Sequence, residues 1–189
     1  MDDAARSFFQ ASDLNPNDPL PLTFLGKSCD GVSYGLATQV RDRLQTFISR
    51  NAQNAPVTYY YATCLLRMSQ TEPKPELNVQ VESLLKHTVS LDPNYGDAYF
   101  QLGTLYADQR RYSEAVAQYE RALKINPKSA NTHYRLGQAL AREGNETLAH
   151  EEFALFERLR KNESDETNTK QNQIQQFVYT MRESDTNPH

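Results

Sequence analysis

His150-Glu151-Glu152-Phe153-Ala154 comes nearest in this chain to a catalytic motif. A zinc-protease helix needs two histidines four residues apart on one face, with a glutamate between them as general base. Ala154 takes the second histidine's place, so the stretch reads as a helix surface where one histidine is flanked by carboxylates. His87 and His133 have no spaced cysteine or carboxylate cluster beside them, and the seven glycines form no phosphate-cradling loop. Cys29 and Cys64 lack the CxxC spacing of a metal or redox motif. They are expected to be small buried residues rather than a disulfide or a reactive thiol. Asn145-Glu146-Thr147 and Asn162-Glu163-Ser164 fit the glycosylation triplet, which has meaning only in a secretory context. No nucleophile, base or ligand set assembles, so no catalysis, cofactor or metal is expected.

The chain offers repetition instead. Tyr99, Leu102, Gly103, Tyr106, Ala115, Tyr119, Ala122 and Pro127 stand in a unit beginning at Gly96. At an offset of 34 residues, the unit from Ala130 shows His133, Leu136, Gly137, Leu140, Ala149 and Phe153 at matching places. The tripeptide "apolar, Asn or Asp, Pro" recurs as Leu14-Asn15-Pro16, Leu91-Asp92-Pro93 and Ile125-Asn126-Pro127. Proline lacks the N–H and clashes with the preceding turn, so each tripeptide ends a helix. A 34-residue period with these small and bulky positions is that of a helix–turn–helix repeat.

In these residues the chain resembles the tetratricopeptide repeat family, nearly completely from Gly96 to Ser129. The resemblance implies an all-α, right-handed superhelical solenoid of stacked antiparallel helix pairs. Gly103 and Ala115 then stand where paired helices approach closely, with Leu102, Tyr106 and Tyr119 filling the surrounding space. The expected units are residues 1–18 (the second half of an incomplete repeat), 19–54, 55–95, 96–129 and 130–161. Two of these are degenerate. The unit 19–54 keeps Leu22, Leu25 and Gly26 before a loose turn from Asp30 to Gly35. The unit 55–95 keeps Tyr61, Ala62 and Leu65 before a turn from Ser69 to Glu76 that holds Pro73 and Pro75. Their second helices depart from the Ala–aromatic–Ala pattern, with Val40, Leu44 and Phe47 in one and Val81, Leu85 and Thr88 in the other.

At the amino end, Ala4, Phe8, Ala11 and Pro16 match a second helix whose first helix is missing, which suggests a fragment, an internal start or a cap. At the other end, Phe156 replaces a small residue and the terminating proline is lost. There 162–189 are expected to form a polar hinge (Asn162 to Asn168) and a capping helix. Ile174, Phe177, Val178 and Met181 lie at helical spacing on that helix. Net charge is -4 with no basic run, which argues against nucleic acid. No apolar stretch reaches the length of a membrane span, and Met1-Asp2-Asp3 opens nothing like a secretory signal. A soluble chain is expected, with the cytoplasm favoured on that ground alone.

A stacked array presents a surface, so the expected function is a non-catalytic scaffold for protein–protein interaction. The resemblance places first helices along a concave groove that holds a peptide or helix of a partner. The residues it points there are Thr23, Lys27, Tyr59, Tyr60, Thr63, Arg67, Phe100, Gln101, Thr104, Asp108, Tyr134, Arg135, Gln138 and Arg142. Tyr59, Phe100 and Tyr134 recur in consecutive units as an aromatic stripe, which either grips the partner or packs between helices. The Lys and Asn residues with which chaperone-binding members clamp a carboxy-terminal carboxylate are absent, Arg135 alone matching, so capture of a chaperone tail is set aside. A second reading makes the chain the accessory array of a larger enzyme, as in repeat domains attached to glycosyltransferases. Weak self-association through the amino-terminal face is also expected.

Overall fold

The structure is a computed structural model that describes residues 2–71 and 75–185, without the side chains of Asp2, Asp30, Gln70, Thr71, Pro75 and residues 177–185. The helices, in order, are α1 (Asp2–Leu14), α2 (Pro19–Ser28), α3 (Tyr34–Arg50), α4 (Ala55–Thr71) and α5 (Pro75–Leu91). They continue with α6 (Gly96–Asp108), α7 (Tyr112–Ile125), α8 (Ala130–Glu143) and α9 (Glu146–Asp185). A 3-10 turn, Cys29–Gly31, links α2 to α3, and no strand occurs among the described residues. The result is an all-α solenoid of antiparallel pairs.

The recurring Pro tripeptides produce one recurring turn. The amide of Asp18, Tyr95 or Ser129 donates to the carbonyl of Asn15, Asp92 or Asn126 at 3.1, 3.1 and 3.2 Å. The next helix then starts at once. Asp18 caps α2 by accepting from the Leu20 amide, with Pro19 in the first turn, where its missing N–H costs nothing. Ser129 accepts from the Thr132 amide in the same way. Gly144 ends α8 in the left-handed conformation, at φ 91°, which a side chain would disfavour.

Glycines set the spacing of the layers. A Cβ on Gly103 would lie 2.6 Å from the Tyr119 ring, and one on Gly137 would lie 2.8 Å from the Phe153 ring. Both contacts close a helix pair, α6 on α7 and α8 on α9. Gly26 meets a ring as well, but from the following repeat: its Cβ would lie 2.3 Å from the Tyr60 Cβ. The atoms nearest that Cβ all belong to Tyr60 and none to α3, whose buried side chains are Ala37, Val40, Leu44 and Phe47. Helix α4 therefore packs directly on α2, whereas α6 and α8 hardly touch.

Three expectations are corrected. The hinge at 162–168 does not exist, because α9 runs unbroken from Glu146 to Asp185. That stretch is polar but holds neither Gly nor Pro, so nothing interrupts the helical ladder. The Thr167 and Thr169 hydroxyls donate back to the Glu163 and Asp165 carbonyls. Residues 163–176 are exposed and Ile174 is 64% exposed, while the side chains of Phe177, Val178 and Met181 lie outside the described residues. The turn from Ser69 to Glu76 shortens, since α4 continues to Thr71 and α5 opens on Pro75. Cys29 and Cys64 are buried as expected, but they face each other across adjacent repeats with Cα atoms 6.0 Å apart and are bonded as a disulfide. No sequence spacing rule covers that pairing. A loop of 35 residues closed this way is worth about 4 kcal/mol in chain entropy.

The amino-terminal helix has partners. Ala5 and Ser12 are buried, Phe8 stacks on Phe24 at 5.0 Å, and Asp13 pairs with Arg43, whose guanidinium lies over Phe9. Leu14 alone among its large apolar residues stands open, at 88% exposure.

Close approach at the glycines predicts opposite signs for two substitutions. Gly103→Ala forces a methyl against Tyr119 and should destabilise the fold by about 1–3 kcal/mol. Gly35→Ala, with nothing within 4 Å of its Cβ, should stabilise α3 by about 0.5–1 kcal/mol. Denaturant unfolding of both variants reads the difference directly.

Candidate functional site

The residues placed in the groove by sequence divide into two groups. Around α2 and α4 they hold the structure together. Tyr60 fills the space over Gly26, and the Thr63 hydroxyl donates to the Tyr60 carbonyl. The Arg67 Nη2 donates to the Val32 carbonyl at 3.1 Å, and its Nη1 is buried with no hydrogen-bond partner among the described residues. Lys27 lies over the Phe24 ring, and Thr23 bonds its own helix.

Around α6 and α8 the groups converge on open space. Thr104 and Asp108 on α6, with Arg135, Gln138 and Arg142 on α8, line a cavity of about 460 Å3. The α6 residues, with Ala107, recur at i, i+3 and i+4. Those on α8, with Ala139, recur at i, i+3, i+4 and i+7, so two stripes face each other. The floor is apolar and comes from the second helices: Tyr112 and Tyr119 on α7 and Phe153 on α9. A second concavity of about 360 Å3 holds Tyr59, Phe100 and Gln101 beside Asp97, Asn126, Ser129, Asn131 and Thr132.

The aromatic stripe is not uniform. Tyr59 is only 8% exposed and packs on Tyr95 at 4.9 Å and Tyr60 at 5.2 Å. Phe100 is half-buried against Tyr119 at 5.8 Å. Tyr134 is 37% exposed, lies against Phe153 and Phe156, and accepts from the Gln138 amide at 3.0 Å. The packing reading therefore describes Tyr59, and the gripping reading remains open to Phe100 and Tyr134.

Hydrogen bonds stiffen the floor. The Tyr119 hydroxyl donates to the Thr104 Oγ1, which in turn donates to the Phe100 carbonyl. Burial raises the Tyr119 phenol above its ordinary value, against the Thr104 hydrogen bond and the Arg135 charge, which lower it. Burial likewise pushes Tyr60 and Tyr95 up, and both stay neutral donors at physiological pH. Behind the cavity, His133 is 8% exposed, with Nδ1 2.6 Å from the Glu152 carboxylate and Nε2 2.9 Å from the Pro127 carbonyl. Glu152 reaches His133 only across the α8–α9 pair, so no local spacing announces this contact. His150 is exposed. Among the described residues no three or more His, Cys, Asp or Glu side chains gather as a metal site would require.

Family profiles described as "TPR repeat" and "Tetratricopeptide repeat" match residues 103–144 and 84–117, the helices that build this site. Residues 84–144 thus carry tetratricopeptide repeats. It is 31% identical over 70 residues to the tetratricopeptide repeat and J domain-containing co-chaperone DNJ1 of Cryptococcus neoformans, a match covering 37% of this chain and 13% of that protein. Among solved structures, MamA superposes with TM-score 0.69 at 20% identity, over 85% of this chain and 89% of that one. TTC0263, a thermophilic TPR protein of Thermus thermophilus, does so with TM-score 0.70 at 19% identity, over 85% and 84%. At such identity the likeness is one of fold. Tetratricopeptide repeats support a protein–protein interaction scaffold, and such proteins are generally non-catalytic. No helix among the described residues is long and apolar enough to cross a membrane.

Burial separates the two ends of the stripe energetically. Tyr59→Ala should cost about 3 kcal/mol or more, as for any large buried ring. Tyr134→Ala, at the open end, should cost clearly less. Equal losses in melting experiments on the two variants would contradict the placement of Tyr134 at the surface.

Proposed function

We propose that this repeat protein holds an extended segment of a partner protein in the channel between α6 and α8. The observation that carries the reading is convergence. Eight residues singled out from the sequence (Tyr59, Phe100, Gln101, Thr104, Asp108, Arg135, Gln138 and Arg142) line two concavities built on these same two helices. Side-chain amides and hydroxyls that could pair with a peptide backbone stand beside exposed aromatic surface, the combination expected of a peptide groove. The α2–α4 end is closed by Tyr60, so Lys27, Tyr60, Thr63 and Arg67 are assigned to support rather than contact. The accessory-array reading keeps one supporting observation, the much greater length of the curated relative.

Random peptides displayed on phage and selected on the full chain provide the test. A photo-crosslinking residue at Gln101 or Gln138 should capture the selected peptides. The same residue at Ala117, exposed on α7, should not. Capture at Ala117 in place of the channel positions, or a selection that yields no peptide, would overturn the reading.

A further inference from the structure

We infer that the segment held in this channel is acidic, with a side-chain carboxylate seated between Arg135 and Arg142 and an apolar neighbour on the aromatic floor. The inference rests on the channel being the binding site and adds the chemistry of what binds there. Arg135 and Arg142 stand seven residues apart, so both occupy the α8 stripe that lines the cavity. Neither makes an ion pair or a cation–π contact with any described residue. Arg41, Arg43 and Arg111 are each paired with a carboxylate, and Arg121 and Arg160 lie over rings. Arg50, Arg110 and Arg158 lack such contacts with described residues too, but none of them lines this cavity. The lining also includes one acid, Asp108, leaving the cavity with two positive charges and one negative. That local excess runs against a chain whose net charge is -4, so it is not a by-product of overall composition. Below the guanidinium groups lie Phe153, Tyr112 and Tyr119 with Ala107 and Ala139. A carboxylate entering here finds planar bidentate donors above a surface of low polarity, where a charge-assisted hydrogen bond counts for more than it does in water. An adjacent apolar side chain covers the rings.

Asp108 supplies a test that a purely structural role for these residues would fail. Removing its charge should tighten the binding of an acidic segment, whereas removing either arginine should weaken it. The probes are two synthetic peptides with identical flanks and amidated ends, one centred on Phe-Glu-Glu-Phe and the other on Phe-Gln-Gln-Phe. They are titrated calorimetrically against the full chain. The Glu peptide should bind about tenfold tighter or more, equivalent to about 1.4 kcal/mol, and the difference should shrink as salt is raised. Arg135→Gln and Arg142→Gln should each remove most of that preference, and Asp108→Asn should increase it. All three positions are exposed, so melting temperatures should stay near that of the parent and the variants should remain folded. Equal binding of the two peptides, a preference that survives both arginine substitutions, or binding of neither peptide would overturn the inference. So would binding that appears only when the peptide's carboxy terminus is left free, which would indicate capture of a chain end. Phage-selected peptides crosslinked at Gln101 or Gln138 but not enriched in Asp or Glu would leave the channel reading standing and remove this one alone.

Discussion

Three glycines that face aromatic rings set the geometry of this solenoid. At Gly26, Gly103 and Gly137 the added Cβ would fall within 3 Å of ring-bearing side chains. Interiors packed at crystal-like density cannot absorb such an overlap without shifting a helix. Which ring answers each glycine then decides where the array is open. Tyr119 and Phe153 answer from within their own repeats and draw each first helix against its second. Tyr60 answers Gly26 from the next repeat and draws one first helix against another. The first arrangement leaves room between successive first helices, and the second fills it.

The division of labour along the chain follows from that difference. The amino-terminal half is cross-braced by Tyr60, the Cys29–Cys64 link and the Arg67 bond to the Val32 carbonyl, all acting between α4 and the repeat before it. The carboxy-terminal half leaves α6 and α8 apart, with second-helix rings as the floor between them. An ion-pair cluster holds this half together from behind. Arg111 reaches both Glu82 and Glu114, while Glu82 also accepts from Tyr106 and pairs with Lys86. Pairing of Arg111 inside the cluster contrasts with Arg135 and Arg142 in the channel, which make no ion pair among the described residues. One set of arginines holds layers together, and the other lines the channel.

Much of this was legible because a repeat writes its packing into sequence as a period. The 34-residue offset aligned α6 with α8, the family resemblance implied which of their residues face the groove, and the Pro tripeptides marked where three helices end. The parts that were not legible depend on contacts between elements. Tyr60 occupies a groove position by register, yet it serves as a plug because its ring stem lies directly over Gly26. Tyr112 and Phe153 belong to second helices, which the resemblance keeps out of the groove, yet they form its floor where the first helices separate. Residues 162–168 look like a linker because they are polar all round. No Gly or Pro stands among them to break the helix that α8 and α9 nucleate before them. The Cys29–Cys64 pairing requires two repeats to stack before the thiols meet, so neither local sequence nor spacing announces it.

Amide hydrogen exchange on the parent chain and on Gly103→Ala tests most directly whether the glycine–ring contact holds the layers in place. If it does, the substitution lowers protection in α6, α7 and α8 together, because α7 and then α8 lose the position that Tyr119 gives them. Protection in α2 and α4, set by a different glycine, then stays as in the parent. Loss confined to α6, or spread evenly over the chain, would contradict the account.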